Sequence, residues 1–193
     1  MTTPCKIAVL VGSLRQASWS RRVAHAIAAL APPTLQFDEL DIGQLAFYNE
    51  DSEAKPPPEW VRFRDQVRAS QAVLFVTPEY NRSVPAVLKN ALDVGSRPYG
   101  HSVWAHRPAA VISASPGAVG GFGAHHHLRQ VLTALDMPTL AHPELYIGGV
   151  HRLFDEAGAL NNDDTRALLQ RFLDRFEAWI DANAPRHHAE PHA

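Results

Sequence analysis

The sequence predicts an α/β protein, a three-layer doubly wound fold built on a five-stranded parallel sheet in the order 2-1-3-4-5. Three observations carry that prediction. Five apolar runs of strand length recur along the chain, helix-period segments separate them, and the strongest runs are continuous in Val, Ile, Leu and Ala rather than alternating with polar residues. A strand that is apolar on both faces has both faces covered, which calls for helices on either side of a parallel sheet. Five such units in 193 residues fit one domain, and 2-1-3-4-5 is the common strand order at that size.

The elements follow in order. Lys6 to Val11 is the opening strand, and Val23, Ile27 and Leu30 recur at helical spacing behind it. A weaker strand spans Leu35 to Leu40. Asn49 to Pro58 is acidic and ends in three prolines, so it is expected to be an irregular surface loop. A helix carrying Val61 and Val67 leads into the strand Ala72 to Thr77, and a helix over Val84 to Val94 follows it. The fourth strand is Ala109 to Ser113, with a helix over Ala124 to Leu135; the fifth is Leu145 to Ile147. The last helix, Asp163 to Ile180, carries an apolar stripe of Leu168, Leu169, Phe172, Phe176 and Ile180. Residues 1–184 are expected to form a single domain, and 185–193, with three His and two Pro, a disordered tail.

Composition narrows the function. Hydrophobic residues make up 46% and charged residues 20%, ordinary globular usage. The net charge of −2, without a dense run of Lys and Arg, argues against a nucleic-acid partner. The longest apolar run near the start, Ile7 to Val11, is too short for a signal segment, and no window approaches a membrane span. A cytoplasmic protein without a membrane partner is expected. Cys5 is the only cysteine, which suits a reducing compartment and leaves no cysteine-based metal site. His125, His126 and His127 are consecutive and would point about 100° apart on a helix, so no metal ligands are assigned.

In an open α/β sheet ligands bind beyond the carboxyl ends of the strands, and three of those segments stand out. After the first strand come Gly12, Ser13, Leu14, Arg15, Gln16, Ala17, Ser18, Trp19 and Ser20. Hydroxyls, one guanidinium and a helix start form an anion cradle, and the spacing matches neither the nucleoside-triphosphate loop nor the dinucleotide glycine pattern. A monophosphate is the expected guest, the plain alternative being an N-cap beside a solvated arginine. After the third strand, Pro78, Glu79, Tyr80, Asn81, Arg82, Ser83, Val84 and Pro85 read as an extended backbone held by two prolines, with edges free for a planar heterocycle; a rigid turn capped by Ser83 is the alternative. After the fourth strand, Ser115 to Gly123 holds four glycines in seven positions, a sign of close backbone approach or strained turns.

These residues resemble the NADPH-dependent FMN reductase family, and within it the chromate, quinone and azo-dye reductases. The resemblance rests on Gly12-Ser13-Leu14-Arg15 with Ser18, on Thr77 to Asn81 running into Leu88 to Asp93, and on the glycine-rich turn before Leu128, Arg129 and Gln130. It implies a flavodoxin-like fold and an FMN cofactor, with Ser13, Arg15, Ser18 and Ser20 on the phosphate. Pro78, Glu79, Tyr80 and Asn81 would lie along the ring, and Ser115 and Gly117 would close the far side. It implies an enzyme that passes hydride from NADPH or NADH to FMN and on to a small-molecule electron acceptor, a quinone, azo dye, chromate or free flavin. No catalytic side chain is assigned, because the cofactor carries the chemistry. A homodimer or homotetramer is also implied, with Tyr99 and Trp104 as candidate interface aromatics, and Arg82 and Arg97 are candidates for the nicotinamide cofactor's phosphates. The competing reading is an electron-transfer or sensor flavodoxin-like protein that does not oxidise NAD(P)H.

Overall fold

The structure, a computed structural model, describes residues 3–183, so the expected tail at 185–193 lies outside the described residues. Strands β1 (Cys5–Val11), β2 (Leu35–Glu39), β3 (Ala72–Thr77), β4 (Ala109–Ala114) and β5 (Leu145–Ile147) form one parallel sheet in the order β2-β1-β3-β4-β5. Between and after them come α1 (Trp19–Leu30), α2 (Pro58–Arg68), α3 (Ala86–Gly95), α4 (Phe122–Ala134) and α5 (Asp163–Asn183).

The pleat of β1 explains why its run is continuous. Ile7, Val9 and Val11 meet Val23 and Ile27 of α1 with Phe172 and Phe176 of α5, while Ala8 and Leu10 meet Trp60, Phe63, Leu88 and Leu128 on the other face. All six residues of β3 and all six of β4 are buried. On edge strand β2 only Leu35 is buried, and that is why its sequence signal is weak.

Several local expectations are corrected. Of the two residues expected on the buried face of α2, Val67 is buried and Val61 is exposed; Trp60, Phe63 and Arg64 complete that face. Helix α3 starts at Ala86 rather than Val84, because Pro85 takes the N-cap position. The Asn49 to Pro58 loop contains a short 3₁₀ turn at Glu50–Ser52, and Pro58 is the first residue of α2, where a missing N–H costs nothing. Trp104 is no interface residue: it is fully buried, edge-on to Phe63, and its indole N–H donates to the Leu92 carbonyl at 2.9 Å. Tyr99 is exposed.

The chain leaves β1 for β2 on one side and crosses to β3 on the other. Loops after β1 and β3 therefore diverge and open a crevice between them, the usual place for a ligand in such a sheet.

Candidate functional site

The loop after β1 ends in α1, whose N-cap Ser18 accepts the Arg21 N–H on its Oγ at 3.2 Å. Ser13, Ser18 and Ser20 are all buried. Among the described residues neither the Ser13 nor the Ser20 hydroxyl has a hydrogen-bond partner, and the Trp19 and Ser20 N–H groups have no acceptor. A first turn without an acidic residue leaves the positive end of the α1 dipole uncompensated.

The loop is held in shape by Arg21, a residue the sequence reading missed. Its guanidinium donates to the Glu39 carboxylate (2.8 Å), the Arg15 carbonyl (3.0 Å) and the Ser13 carbonyl (3.3 Å). A basic residue in a helix's first turn opposes the dipole and so calls for such a partner, which is the one signal that could have found it.

Beyond β3 the backbone makes a tight hairpin rather than a wholly extended edge. Tyr80 and Ser83 exchange both backbone hydrogen bonds at 3.0 Å, and the two residues between them, Asn81 (φ 50°) and Arg82 (φ 65°), sit in the left-handed region. Pro78 and Pro85 bracket this turn. The Glu79 carboxylate leaves the cleft: one oxygen accepts the Ala124 N–H at 3.0 Å and the other accepts from Arg82 at 3.0 Å. Arg82 is thus committed to Glu79, and Arg97 lies over the Tyr48 ring. Ser83 caps no helix; its hydroxyl bonds to His127 Nδ1 at 2.7 Å.

Beyond β4, Ser115 Oγ accepts the Gly117 N–H at 3.1 Å. Here the glycines admit the chain's own atoms. Gly120 has φ 65°, and a Cβ there would lie 2.5 Å from the Tyr146 carbonyl carbon; one on Gly123 would lie 2.8 Å from the Glu79 carboxylate.

The three segments converge on one cleft of about 150 Å³. Ser13, Arg15, Ser18, Ser20, Pro78, Glu79, Tyr80 and Ser115 line it, joined by Trp19, Ala114 and Pro116. Asn81 and Gly117 do not: Asn81 is exposed at the hairpin tip, and Gly117 lies just past the wall. Arg15 is the only cation in the lining. Arg15 and Tyr80 also border a more open groove of about 390 Å³ with Leu14 and Val87. A cleft of about 350 Å³ at the ends of β1 and β2 has Arg21 as its only cation, already bound to Glu39.

The described residues contain no helix long and apolar enough to cross a membrane, and no group of three or more His, Cys, Asp or Glu that could hold a metal ion.

The chain is similar to known proteins along most of its length. A quinone reductase of Pseudomonas putida is 58% identical over 184 residues, covering 95% of this chain and 98% of its own. A 2-hydroxy-1,4-benzoquinone reductase of a Burkholderia species is 46% identical over 91% of this chain and 96% of its own. The solved structure of the flavoenzyme NAD(P)H:(acceptor) oxidoreductase from Paracoccus denitrificans superposes with a TM-score of 0.89 at 38% identity, covering 93% of this chain and 99% of that one. Residues 5–152 match the family model described as NADPH-dependent FMN reductase, and the chain belongs to that family.

Proposed function

We propose that this protein is an NAD(P)H-dependent, FMN-containing reductase whose acceptor is a quinone. One observation carries the reading: Ser13 and Ser20, whose hydroxyls have no hydrogen-bond partner among the described residues, line the same cleft as the first turn of α1 and the Arg15 guanidinium. These are donors, and donors beside a positive helix end fit a phosphate.

Ser13, Ser20 and Arg15 hold the FMN phosphate. Ser18 uses one oxygen lone pair on the Arg21 N–H and still has its own proton to donate. Pro78 and Tyr80 lie along the ring and Ser115 closes the opposite wall, with Asn81 and Gly117 just outside the cleft, and the Glu79 side chain acts from behind rather than on the cofactor. A cleft of about 150 Å³ falls below the roughly 300–1,000 Å³ of sites that enclose a drug-sized ligand, so it takes the phosphate end and leaves the ring towards exposed Tyr80. When bound, FMN supplies hydride acceptance from NADPH or NADH and electron delivery to the acceptor. The chain's part is to bind, orient and keep one face open, and no Ser, His and Asp arrangement lines the cleft. Few polar groups would be left unpaired by a wrong guest, so azo dyes, chromate and free flavin fall within its tolerance. Leu14, Tyr80 and Val119 on the three loops and Phe122 at the start of α4 are exposed, which supports a homodimer or homotetramer that covers them. A cytoplasmic setting agrees with the small diffusible donor and acceptor.

The test is the visible spectrum of protein incubated with FMN and desalted, before and after anaerobic NADPH. A retained flavin band that bleaches supports the reductase. A retained band that does not bleach points to an electron-transfer or sensor protein, and no retained band overturns the flavin site. Arg15→Ala should weaken FMN by about 1.5–3 kcal/mol, as loss of a charge-assisted contact does, without lowering Tm; unchanged affinity would remove Arg15 from the phosphate.

A further inference from the structure

Helix α4 begins without a cap of its own. Its N-cap position is Gly121, with φ 81° and no side-chain hydrogen bond, and its first turn carries no acidic residue. The missing charge comes from another loop. Glu79, 45 residues earlier, places one carboxylate oxygen 3.0 Å from the Ala124 N–H, and Arg82 holds the other oxygen at 3.0 Å. Only a small residue at position 123 permits this approach, since a Cβ on Gly123 would lie 2.8 Å from the Glu79 oxygen and 3.0 Å from the Arg82 carbonyl. A second tie, Ser83 Oγ to His127 Nδ1 at 2.7 Å, joins the same hairpin to the next turn of α4.

The two elements joined here carry opposite walls of the cleft. Glu79 lies between Pro78 and Tyr80 on one wall, and α4 follows directly from the loop that brings Ala114, Ser115 and Pro116 to the other. We infer that the Glu79 carboxylate is a positioning residue, a clamp that sets the separation of the two walls by capping α4 from across the cleft, with Gly123 as its receiving notch. The inference rests on the flavin reading of the cleft and adds to it a residue that acts through another element. A carboxylate at a helix N-terminus gains both from the hydrogen bond and from the dipole. It also needs no proton from the ligand, so Gln, which keeps an acceptor oxygen, should replace it in part, whereas Ala should not.

The experiment compares wild type with Glu79→Ala, Glu79→Gln and Gly123→Ala by three measurements: FMN titration, the position and shape of the bound-flavin absorption band, and hydrogen exchange of the Ala124 amide in the apoprotein. Glu79→Ala is expected to weaken FMN about 10-fold, the size of one charge-assisted hydrogen bond, to shift the bound-flavin band, and to speed exchange at Ala124. Glu79→Gln should recover most of both losses. Gly123→Ala is the sharper variant, because alanine in a helix is ordinarily favourable relative to glycine; here it should instead displace the carboxylate and reproduce the Glu79→Ala spectrum. The clamp is overturned if FMN affinity is unchanged in Glu79→Ala, if Glu79→Gln loses as much as Glu79→Ala, or if Ala124 exchange is the same in all four proteins. Should wild type take up no FMN, the flavin reading fails, and Ala124 exchange in the apoprotein still decides whether Glu79 caps α4.

Discussion

Helices α1 and α4 both start beside the cleft, and they start in opposite ways. Helix α1 has a side-chain cap, Ser18, and unpartnered hydroxyls at Ser13 and Ser20, yet its first turn carries no acidic residue and the Trp19 and Ser20 N–H groups have no acceptor among the described residues. Helix α4 has no cap of its own, and its N-terminus is filled by Glu79. Both are preceded by small residues, so their sequences look equally suited to an anion. Only α1 is left open for one. The difference shows that small residues before a helix create a vacancy for charge and that the tertiary fold decides whether a ligand or the protein fills it.

The comparison breaks most severely at Gly120. If the glycines before α4 serve internal packing, Gly120→Ala must damage the fold: the backbone is left-handed at φ 65°, and a Cβ would sit 2.5 Å from Tyr146 C and 2.7 Å from its carbonyl oxygen, atoms that cannot rotate away. Left-handed strain of roughly 1–2 kcal/mol and overpacking of about 1–3 kcal/mol add to a loss on the order of 4 kcal/mol. Differential scanning calorimetry should show Tm lower by about 10 °C for a chain of this length. An unchanged Tm would mean that the loop is not packed against β5 as described.

A second test uses the polar group that α4 buries without a partner. His125 is fully buried, neither ring nitrogen has a hydrogen-bond partner among the described residues, and its ring meets Tyr146 edge-on at 4.6 Å. Burial first, and Arg129 next, lower its pKa to about 4, against a weaker opposing pull from Glu144. The unfolded chain, titrating near 6.5, takes up the proton first as pH falls, so this histidine's contribution is intact above about pH 6.5 and is lost progressively down to about pH 4. The full loss is about 3 kcal/mol. Urea denaturation of wild type and His125→Leu between pH 7 and 4 should show a shallower acid loss in the variant; parallel curves would place the acid sensitivity elsewhere.

Much of this was legible in the sequence, because burial on both faces writes itself as continuous apolar runs. β3 and β5 fall on their expected residues, and β1, β2 and β4 differ by one residue at an end. What was not legible depends on contacts between segments far apart in the chain. Trp104 reads as a loop aromatic until Gly95 is seen to leave room for its indole. Glu79 stands inside a cofactor motif, but its carboxylate bonds an amide 45 residues away. Arg21 is one arginine among many until Glu39 is folded beside it. The ten expected site residues were chosen as types in three loops; eight line one cleft because the sheet brings those loops together, while Asn81 and Gly117 fall just outside it.

The smallest effects discriminate best, because they set two serines of one loop against each other. Ser18 and Ser20 are equally buried, two residues apart, and both were expected on the phosphate. Their hydroxyls differ in whether the protein already uses them. Ser18 caps α1 through the Arg21 N–H, so Ser18→Ala should cost about 1 kcal/mol of stability and lower the apoprotein Tm by roughly 2–4 °C. The Ser20 hydroxyl has no partner among the described residues, so Ser20→Ala removes a hydroxyl that only a ligand would miss. Its apoprotein Tm should stay level or rise slightly, while FMN affinity should fall about 10-fold, the size of one hydrogen bond to a charged group near 1.5 kcal/mol. Thermal melts with and without FMN read both quantities in one series, since the ligand-induced rise in Tm shrinks as affinity falls. If Ser20→Ala lowers the apoprotein Tm and leaves the FMN-induced rise untouched, its hydroxyl serves the fold as Ser18 does, and the vacancy at the start of α1 belongs to no ligand.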